Sequence, residues 1–215
     1  MRAGNYEKAE YYYTKSLKLC ERYNNHRCVA MALTNVGQIL SDRKELDSAL
    51  TLYNRSLQVR KHSKESYGIN ITYDLIGEVY LRKKEYDKAI EFFNKSLDLE
   101  KERNDLKGAA ISLIYLGDTY VLRNNIPKAK AYGLEALEIT KKENALESYM
   151  KASRLLRNVY EGENNWEIIY SAITEPAIFK HFDAVLDDEK LYVYLMENTP
   201  GDACPLHLQI FNLTE

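Results

Sequence analysis

The sequence predicts an all-α fold, a solenoid of about four helix–turn–helix repeats followed by a C-terminal segment that does not repeat. The first reason is that the chain matches itself, without gaps, at a shift of 40 residues. The second is that only nine glycines and four prolines are present, which favours long helices joined by short turns. The third is the i, i+3, i+4, i+7 spacing of apolar residues within each copy, as in Tyr86, Ala89, Ile90, Phe93 and Leu97.

One half of each copy carries a column of alanine and is called here the second-type helix. Leucine, small and apolar columns accompany the alanine at fixed distances, as expected for a helix face that packs in the same way in every copy. The columns are Ala9, Ala49, Ala89 and Ala129; Leu17, Leu57, Leu97 and Leu137; Ser16, Ser56, Ser96 and Ala136; and Tyr6, Leu46, Tyr86 and Ile126.

The other half of each copy, the first-type helix, carries a column of glycine. Gly37, Gly77 and Gly117 share this column, and Arg157 interrupts it in the last copy. A glycine inside a helix costs roughly 1 kcal/mol relative to alanine. Three glycines in one column therefore predict helices packed so closely that a larger side chain would be excluded.

Composition and charge narrow the class of protein. Hydrophobic residues make up 45% of the 215 positions, enough for a substantial buried core. The net charge of −2 argues against a strong electrostatic grip on nucleic acid. No apolar signal region or membrane-length segment is evident, so we expect a cytoplasmic protein that does not bind membranes. Cys20, Cys28 and Cys204 show no paired spacing and suit a reducing compartment.

No motif for catalysis, cofactor binding or metal binding emerges. The glycines form no phosphate-binding loop. The four histidines are scattered and include no i, i+4 pair. Acidic pairs occur on helix faces that are expected to be solvated. We therefore expect neither an enzyme nor a protein that holds a cofactor or a metal.

The repeat resembles the tetratricopeptide repeat in the stretch YDLIGEVYLRKKEYDKAIEFFNKSL. The residues that carry the resemblance are Tyr73, Ile76-Gly77, Tyr80, Ala89, Phe93 and Ser96. The family's usual unit has about 34 residues, and the 40-residue unit here resembles its long-helix variety. Lys61 and Lys101 stand where the family has proline, so we expect each second-type helix to continue for another turn or more. The resemblance implies a right-handed α-α superhelix.

The predicted array covers residues 1–162 and the tail covers residues 163–215. The array opens with a second-type helix at 4–23, and full repeats start near residues 30, 70, 110 and 150. Because no first-type helix precedes residue 4, we expect the chain to be a piece of a longer protein. In the tail, the stretch from Trp166 to Lys190 is predicted to form one or two capping helices. The last two apolar runs form either a hairpin or an irregular tail.

The resemblance also implies a groove lined by the first-type helices, in which members of this family hold an extended peptide or a partner helix. Fixed places along each first-type helix face this groove. Met31 and Ile71 occupy the same place on their helices as Ile111. The acidic residues Asp74, Glu78 and Asp118 suggest a ligand with Lys or Arg near its middle. The predicted groove residues are Asn35, Gln38, Asp74, Glu78, Ile111, Tyr115, Asp118, Arg154 and Asn158.

The function expected from this groove is non-catalytic binding of a protein or peptide. The alternative is that the chain is the peptide-sensing part of a bacterial signalling protein or transcription regulator. An enzyme whose chemistry lies in residues 163–215 is a third possibility. A homo-oligomer is compatible with any of these, and direct binding of nucleic acid is not expected.

Overall fold

The computed structural model describes residues 3–63, 68–162, 182–187, 190–196 and 206–212. The chain divides into two compact units, Met1–Leu156 and Arg157–Glu215. The described part of the first unit is helical throughout, and the second contains a sheet. No described helix is both long enough and apolar enough to cross a bilayer.

Eight helices occupy the described part of the repeat region, and they alternate between second-type and first-type along the chain. The described residues thus confirm the all-α prediction for the repeat array. The helices are α1 Ala3–Arg22, α2 His26–Asp42, α3 Leu46–His62, α4 Ile69–Arg82, α5 Tyr86–Glu102, α6 Leu106–Leu122, α7 Ile126–Lys142 and α8 Leu146–Gly162.

The first-type helices α2, α4 and α6 each pack on the second-type helix that follows, and the glycines of α2 and α4 set how closely the two helices approach. An ideal β-carbon built at Gly37 would lie 2.6 Å from the Tyr53 ring. The same atom at Gly77 would lie 2.5 Å from the Phe93 ring. Both rings are fully buried. The prediction of close helix packing at this column is therefore confirmed.

The second-type helices bury the small residues of their columns against these partners. Ala49, Ala89 and Ala129 are fully buried. Ser56 Oγ donates a hydrogen bond to the Ala30 carbonyl at 2.9 Å. Ser96 Oγ donates the equivalent bond to the Asn70 carbonyl at 3.0 Å. Because residues 30 and 70 are one repeat apart, the same contact recurs in successive hairpins.

The turns between helices also repeat, and the 40-residue pattern alone did not predict this. In the turn after α4, the Glu85 N–H donates to the Tyr80 carbonyl and the Lys84 N–H donates to the Leu81 carbonyl, both at 2.9 Å. This pair of bonds is the Schellman cap, which requires one residue in the left-handed conformation. Asparagine tolerates that conformation better than most residues. Among the described residues, the non-glycine ones with positive φ are Asn24, Lys44, Lys84, Asn104, Asn124 and Asn144.

Lys84→Gly is expected to raise the free energy of unfolding by about 0.5–1 kcal/mol, since lysine holds an unfavourable φ of 61° at this exposed position. Urea unfolding at equilibrium measures the change. Lys84→Ala is the matched control, because it removes the same side chain but keeps the β-carbon. A Gly variant no more stable than the Ala variant contradicts the role of the left-handed conformation.

The cysteine prediction was wrong for two of the three residues. Cys20 near the end of α1 and Cys28 in the first turn of α2 form a disulfide, with their Cα atoms 5.6 Å apart. Their spacing matches no familiar pattern. The tight turn at residues 23–25 nevertheless places the two antiparallel helix ends side by side, so sequence spacing understates their proximity.

The second unit contains a three-stranded antiparallel sheet with strand order β1-β2-β3. The strands are β1 Phe182–Asp187, β2 Lys190–Met196 and β3 Leu206–Asn212. β2 pairs with β3 across the stretch TPGD, where the sequence had left a hairpin or an irregular tail open. The helix predicted through residues 182–187 was wrong, because β1 pairs along its full length with β2. Lys190, the last residue of the predicted stretch, begins β2, and residues 166–181 and 188–189 lie outside the described residues.

Candidate functional site

Eight of the nine predicted groove residues lie in the first unit, on four first-type helices. Asn35 and Gln38 lie on α2, Asp74 and Glu78 on α4, three residues on α6 and Arg154 on α8. The ninth residue, Asn158, is exposed on α8 but belongs to the second unit. The three on α6 are Ile111, Tyr115 and Asp118.

Asp74 points into the array and is only 9% exposed. Ser112 Oγ on α6 lies 3.2 Å from Asp74 Oδ1 and 2.7 Å from Glu100 Oε2 on α5. Burial, and then the neighbouring Glu100 carboxylate, raises the pKa of Asp74 to about 8. Asp74 is therefore mostly protonated at neutral pH and joins three helices from beneath the groove.

Glu100 is the other buried carboxyl of this network, and the sequence analysis did not single it out. Its exposure is 2%. Asn70 Nδ2 donates to Glu100 Oε1 at 3.0 Å, and burial raises the pKa of Glu100. A signal was present in the repeat, because Arg60, Glu100 and Thr140 share one column and all three are buried. A polar column on the buried face of amphipathic helices, here in the last turn of each, indicates side chains that are paired inside the protein.

Glu78 and Asp118 are the two acidic groove residues that keep partial access to solvent. Burial, and then a hydrogen bond from its hydroxyl to Glu78, raises the pKa of Tyr115. The Tyr115 ring stacks on Phe93 with centroids 5.0 Å apart. Burial raises the pKa of Asp118, and the Arg154 guanidinium opposes that rise. Of the three acidic residues predicted to line the groove, only Glu78 and Asp118 remain partly exposed, and they are called here the acidic strip. Asp74 lies buried beneath them.

The predicted groove residues on α2 carry amide groups. Gln38 Nε2 donates to Asp42 Oδ1 at 3.1 Å, and the Tyr53 hydroxyl lies 3.4 Å from Gln38 Oε1. Asn35 is half-buried, one helical turn before Gln38. Side-chain amides carry both donors and acceptors, so these residues suit the backbone of an extended peptide.

Apolar side chains stand exposed at one place in three successive first-type helices. Met31 is 47% exposed, Ile71 is 49% exposed and Ile111 is 38% exposed. Lys151 replaces them in the fourth. Large apolar side chains that remain in water at a repeated place form a ladder that an apolar side chain of a ligand can cover.

Comparison with known proteins places this architecture in a family. The profile described as tetratricopeptide repeat matches residues 1–62 and 68–142, which is more than half of the chain. Curated proteins match only a short stretch. An ulvan lyase, long isoform, from an Alteromonas species is 46% identical over 52 residues, which are 24% of this chain and 5% of that protein. The chain thus spans about 5% of the length of the curated relatives it matches.

Solved structures share the fold over most of the chain. BtubC from P. vanneervenii has a TM-score of 0.67 at 16% identity, covering 80% of this chain and 72% of its own. A signal transduction ATPase with a tetratricopeptide repeat sensor from Pyrococcus horikoshii has a TM-score of 0.62 at 18% identity, covering 79% and 28%. The apo form of RapI has a TM-score of 0.62 at 19% identity, covering 76% and 51%.

Proposed function

The chain belongs to the tetratricopeptide repeat family, and from that premise we propose that it is a non-catalytic module whose groove binds an extended peptide or a partner helix. Proteins of this family bind protein or peptide partners, and their repeats typically serve as scaffolds without catalysis. The observation that carries the proposal is the recurrence of exposed apolar and polar side chains on successive first-type helices.

The chemistry of the groove favours a ligand with apolar side chains and a basic centre. Met31, Ile71 and Ile111 supply an apolar ladder along three helices. Glu78 and Asp118 supply negative charge on α4 and α6. A lysine or arginine of the ligand would gain both charge attraction and hydrogen bonds at these carboxylates.

The double variant Glu78→Lys and Asp118→Lys is expected to weaken binding of a basic peptide at least about tenfold, since it reverses the charge of the groove. The probe is a fluorescein-labelled peptide with two central lysines flanked by leucines, and fluorescence anisotropy reports its binding. The control changes Asp98 and Glu102 to lysine, because both are exposed on the second-type helix α5.

The expected pattern is loss with the groove pair and retention with the α5 pair. Equal loss with both pairs would show that only net charge matters and would remove the groove from the proposal. A second peptide, with glutamates in place of the lysines, should bind the wild type less than the lysine peptide. If the two peptides bind equally, the acidic strip does not select the ligand.

A second candidate is a sensor of peptides within a signalling protein, since the similar signal transduction ATPase from Pyrococcus horikoshii carries a tetratricopeptide repeat sensor. The two candidates share the groove and differ in what binding does. A peptide that raises the melting temperature without a stable protein partner favours the sensor. A protein partner that is retained at stoichiometric amounts favours the scaffold.

A further inference from the structure

The outer face of α1 repeats the columns that every later second-type helix buries. Tyr13 occupies the place of Tyr53 and Phe93, which are fully buried, yet Tyr13 is 38% exposed. Ala9 and Ser16 are half-buried, whereas their equivalents in α3 and α5 are completely covered. The face therefore has the composition of a helix interface and is open to solvent.

The chain itself shows, three times, what covers these columns. α2 covers α3, α4 covers α5 and α6 covers α7. In two of these pairs the glycine of the first-type helix meets the aromatic ring of the second-type helix, at Gly37 and Gly77, whereas Gly117 meets Leu155 of α8. Among the described elements, α1 packs mainly on α2, the first-type helix that follows it, and Glu21 near its end also pairs with Arg55 of α3 at 2.6 Å.

Tyr12, the neighbour of Tyr13, also occupies a column whose later members contact a covering first-type helix. Its equivalents on α5 and α7 stack on a tyrosine of the covering helix. Phe92 stacks on Tyr80 at 5.6 Å, and Tyr132 stacks on Tyr120 at 5.6 Å, with small interplanar angles. Tyr12 is 65% exposed. Because the equivalent rings stack on a tyrosine of the covering helix, the exposed Tyr12 ring offers a stacking contact that a further helix would complete.

A cavity of about 410 Å³ lies where the covering helix would rest. Tyr13 and Ser16 of α1 line one side, and Met31, Ala32 and Asn35 of α2 line another. Ala32 shares its column with Ser112, which lies 3.2 Å from Asp74 of the preceding first-type helix. The cavity therefore lies between the same two elements, a second-type helix and the next first-type helix, that hold α4 inside the array.

We infer that the exposed face of α1 is a docking site for a helix of first-type chemistry. This partner is an amphipathic helix that presents a glycine to the Tyr13 ring, an apolar or aromatic residue to Tyr12 and a free carbonyl to Ser16 Oγ. The site adjoins the proposed groove at Met31 and Asn35 and extends beyond it over α1, the first described helix. The site is continuous with the existing packing of α2 on α1, because residues of both helices line the cavity.

The probe is a fluorescein-labelled peptide of residues 25–43, with Cys28→Ser to prevent disulfide exchange. It carries the helix that covers Tyr53 in this chain, including Gly37 and the Asn25 cap. Titration of the full chain is expected to give saturable binding. The same peptide with Gly37→Leu is expected to bind at least about tenfold more weakly, although leucine favours the helix, because its side chain would occupy the space of the ring.

Variants of the chain locate the site. Ala9→Arg should weaken binding at least about tenfold, since the alanine column is fully buried in every other hairpin. Thr14→Arg is the matched control, because its equivalent Asn54 is exposed within the array. Equal binding by all three chains, or equal binding of the leucine peptide, overturns the inference.

A cross-linking experiment distinguishes docking of the peptide on α1 from replacement of the chain's own α2 by the peptide. A benzophenone at the Leu40 place of the peptide should label α1 near Tyr12, the equivalent of Leu52. Labelling of α3 instead means that the peptide displaces α2, and this result overturns the docking site.

Sedimentation equilibrium tests whether a second copy of this chain occupies the face. A dimer that Ala9→Arg dissociates would show that a second copy, rather than a helix of first-type chemistry, covers this face.

Discussion

Gly77→Ala is expected to lower the free energy of unfolding by about 1–3 kcal/mol, even though alanine favours a helix by roughly 1 kcal/mol. The new β-carbon would lie 2.5 Å from Phe93 Cε1. The ring cannot move away freely, because it is fully buried and stacks on Tyr115. The loss is measured by urea unfolding at equilibrium, with an unchanged slope as the sign that the fold is kept.

A double-mutant cycle tests whether the ring is the cause. Phe93→Leu leaves more room opposite residue 77, so Gly77→Ala should cost less in that background than in the wild type. Additive effects would mean that the glycine is needed for another reason, such as the fit of α4 against α2. A gain in stability from Gly77→Ala alone would mean that helix propensity outweighs packing at this column.

The glycine and alanine columns were predictable because repetition makes the same packing problem visible several times. A single glycine in a helix is ambiguous, but Gly37, Gly77 and Gly117 in one column leave close approach as the common cause. The burial of the alanine column was predictable for the same reason. Periodicity reports contacts between neighbouring repeats, which are the contacts that hold a solenoid together.

Features that depend on one repeat alone were not predictable. Asp74 shares its column with Thr34, Ile114 and Arg154, so the column gives no consistent signal for burial. Only the coordinates show that Ser112 and Glu100 enclose it. Of the predicted groove residues, it is the one whose position most changes the chemistry expected of the site.

The C-terminal strands illustrate a second limit. The stretch FDAVLD at residues 182–187 has a short apolar pattern that fits either a helix or a strand. Pairing with β2 decides in favour of the strand, and pairing is a property of two segments rather than one. The disulfide between Cys20 and Cys28 was missed for a related reason, because it depends on the turn that brings two helix ends together.

Asp74→Asn is expected to stabilise the protein at pH 8 by about 5 kcal/mol, with the difference almost vanishing near pH 4. The pKa of Asp74 rises from an ordinary value near 3.8 to about 8 on folding. Between these two values the folded chain keeps a proton that the unfolded chain has released. Linkage then makes the wild-type free energy of unfolding fall as pH rises through this window.

The groups around Asp74 explain why the proton is kept. Burial among these groups raises the pKa of Asp74 most, and the carboxylates of Glu100 on α5 and Glu78 on α4 raise it further, while the hydroxyls of Ser96 and Ser112 lower it. Asparagine has the same shape, keeps an oxygen for Ser112 and adds an N–H that Glu100 can accept. The variant therefore removes a buried charge at high pH without opening a cavity.

Urea unfolding of wild type and Asp74→Asn at several pH values between 4 and 8.5 measures the effect. The two stability curves should converge at the acid end and separate steadily above pH 5. Asp98→Asn is the control, since this carboxyl is exposed on α5 and its removal should leave the curve close to that of the wild type. The free energy of unfolding of Asp74→Asn should still vary with pH, because burial also raises the pKa of Glu100. Parallel curves for the wild type and Asp74→Asn would mean that Asp74 is ionised inside the folded protein, and the acidic strip of the groove would then include it.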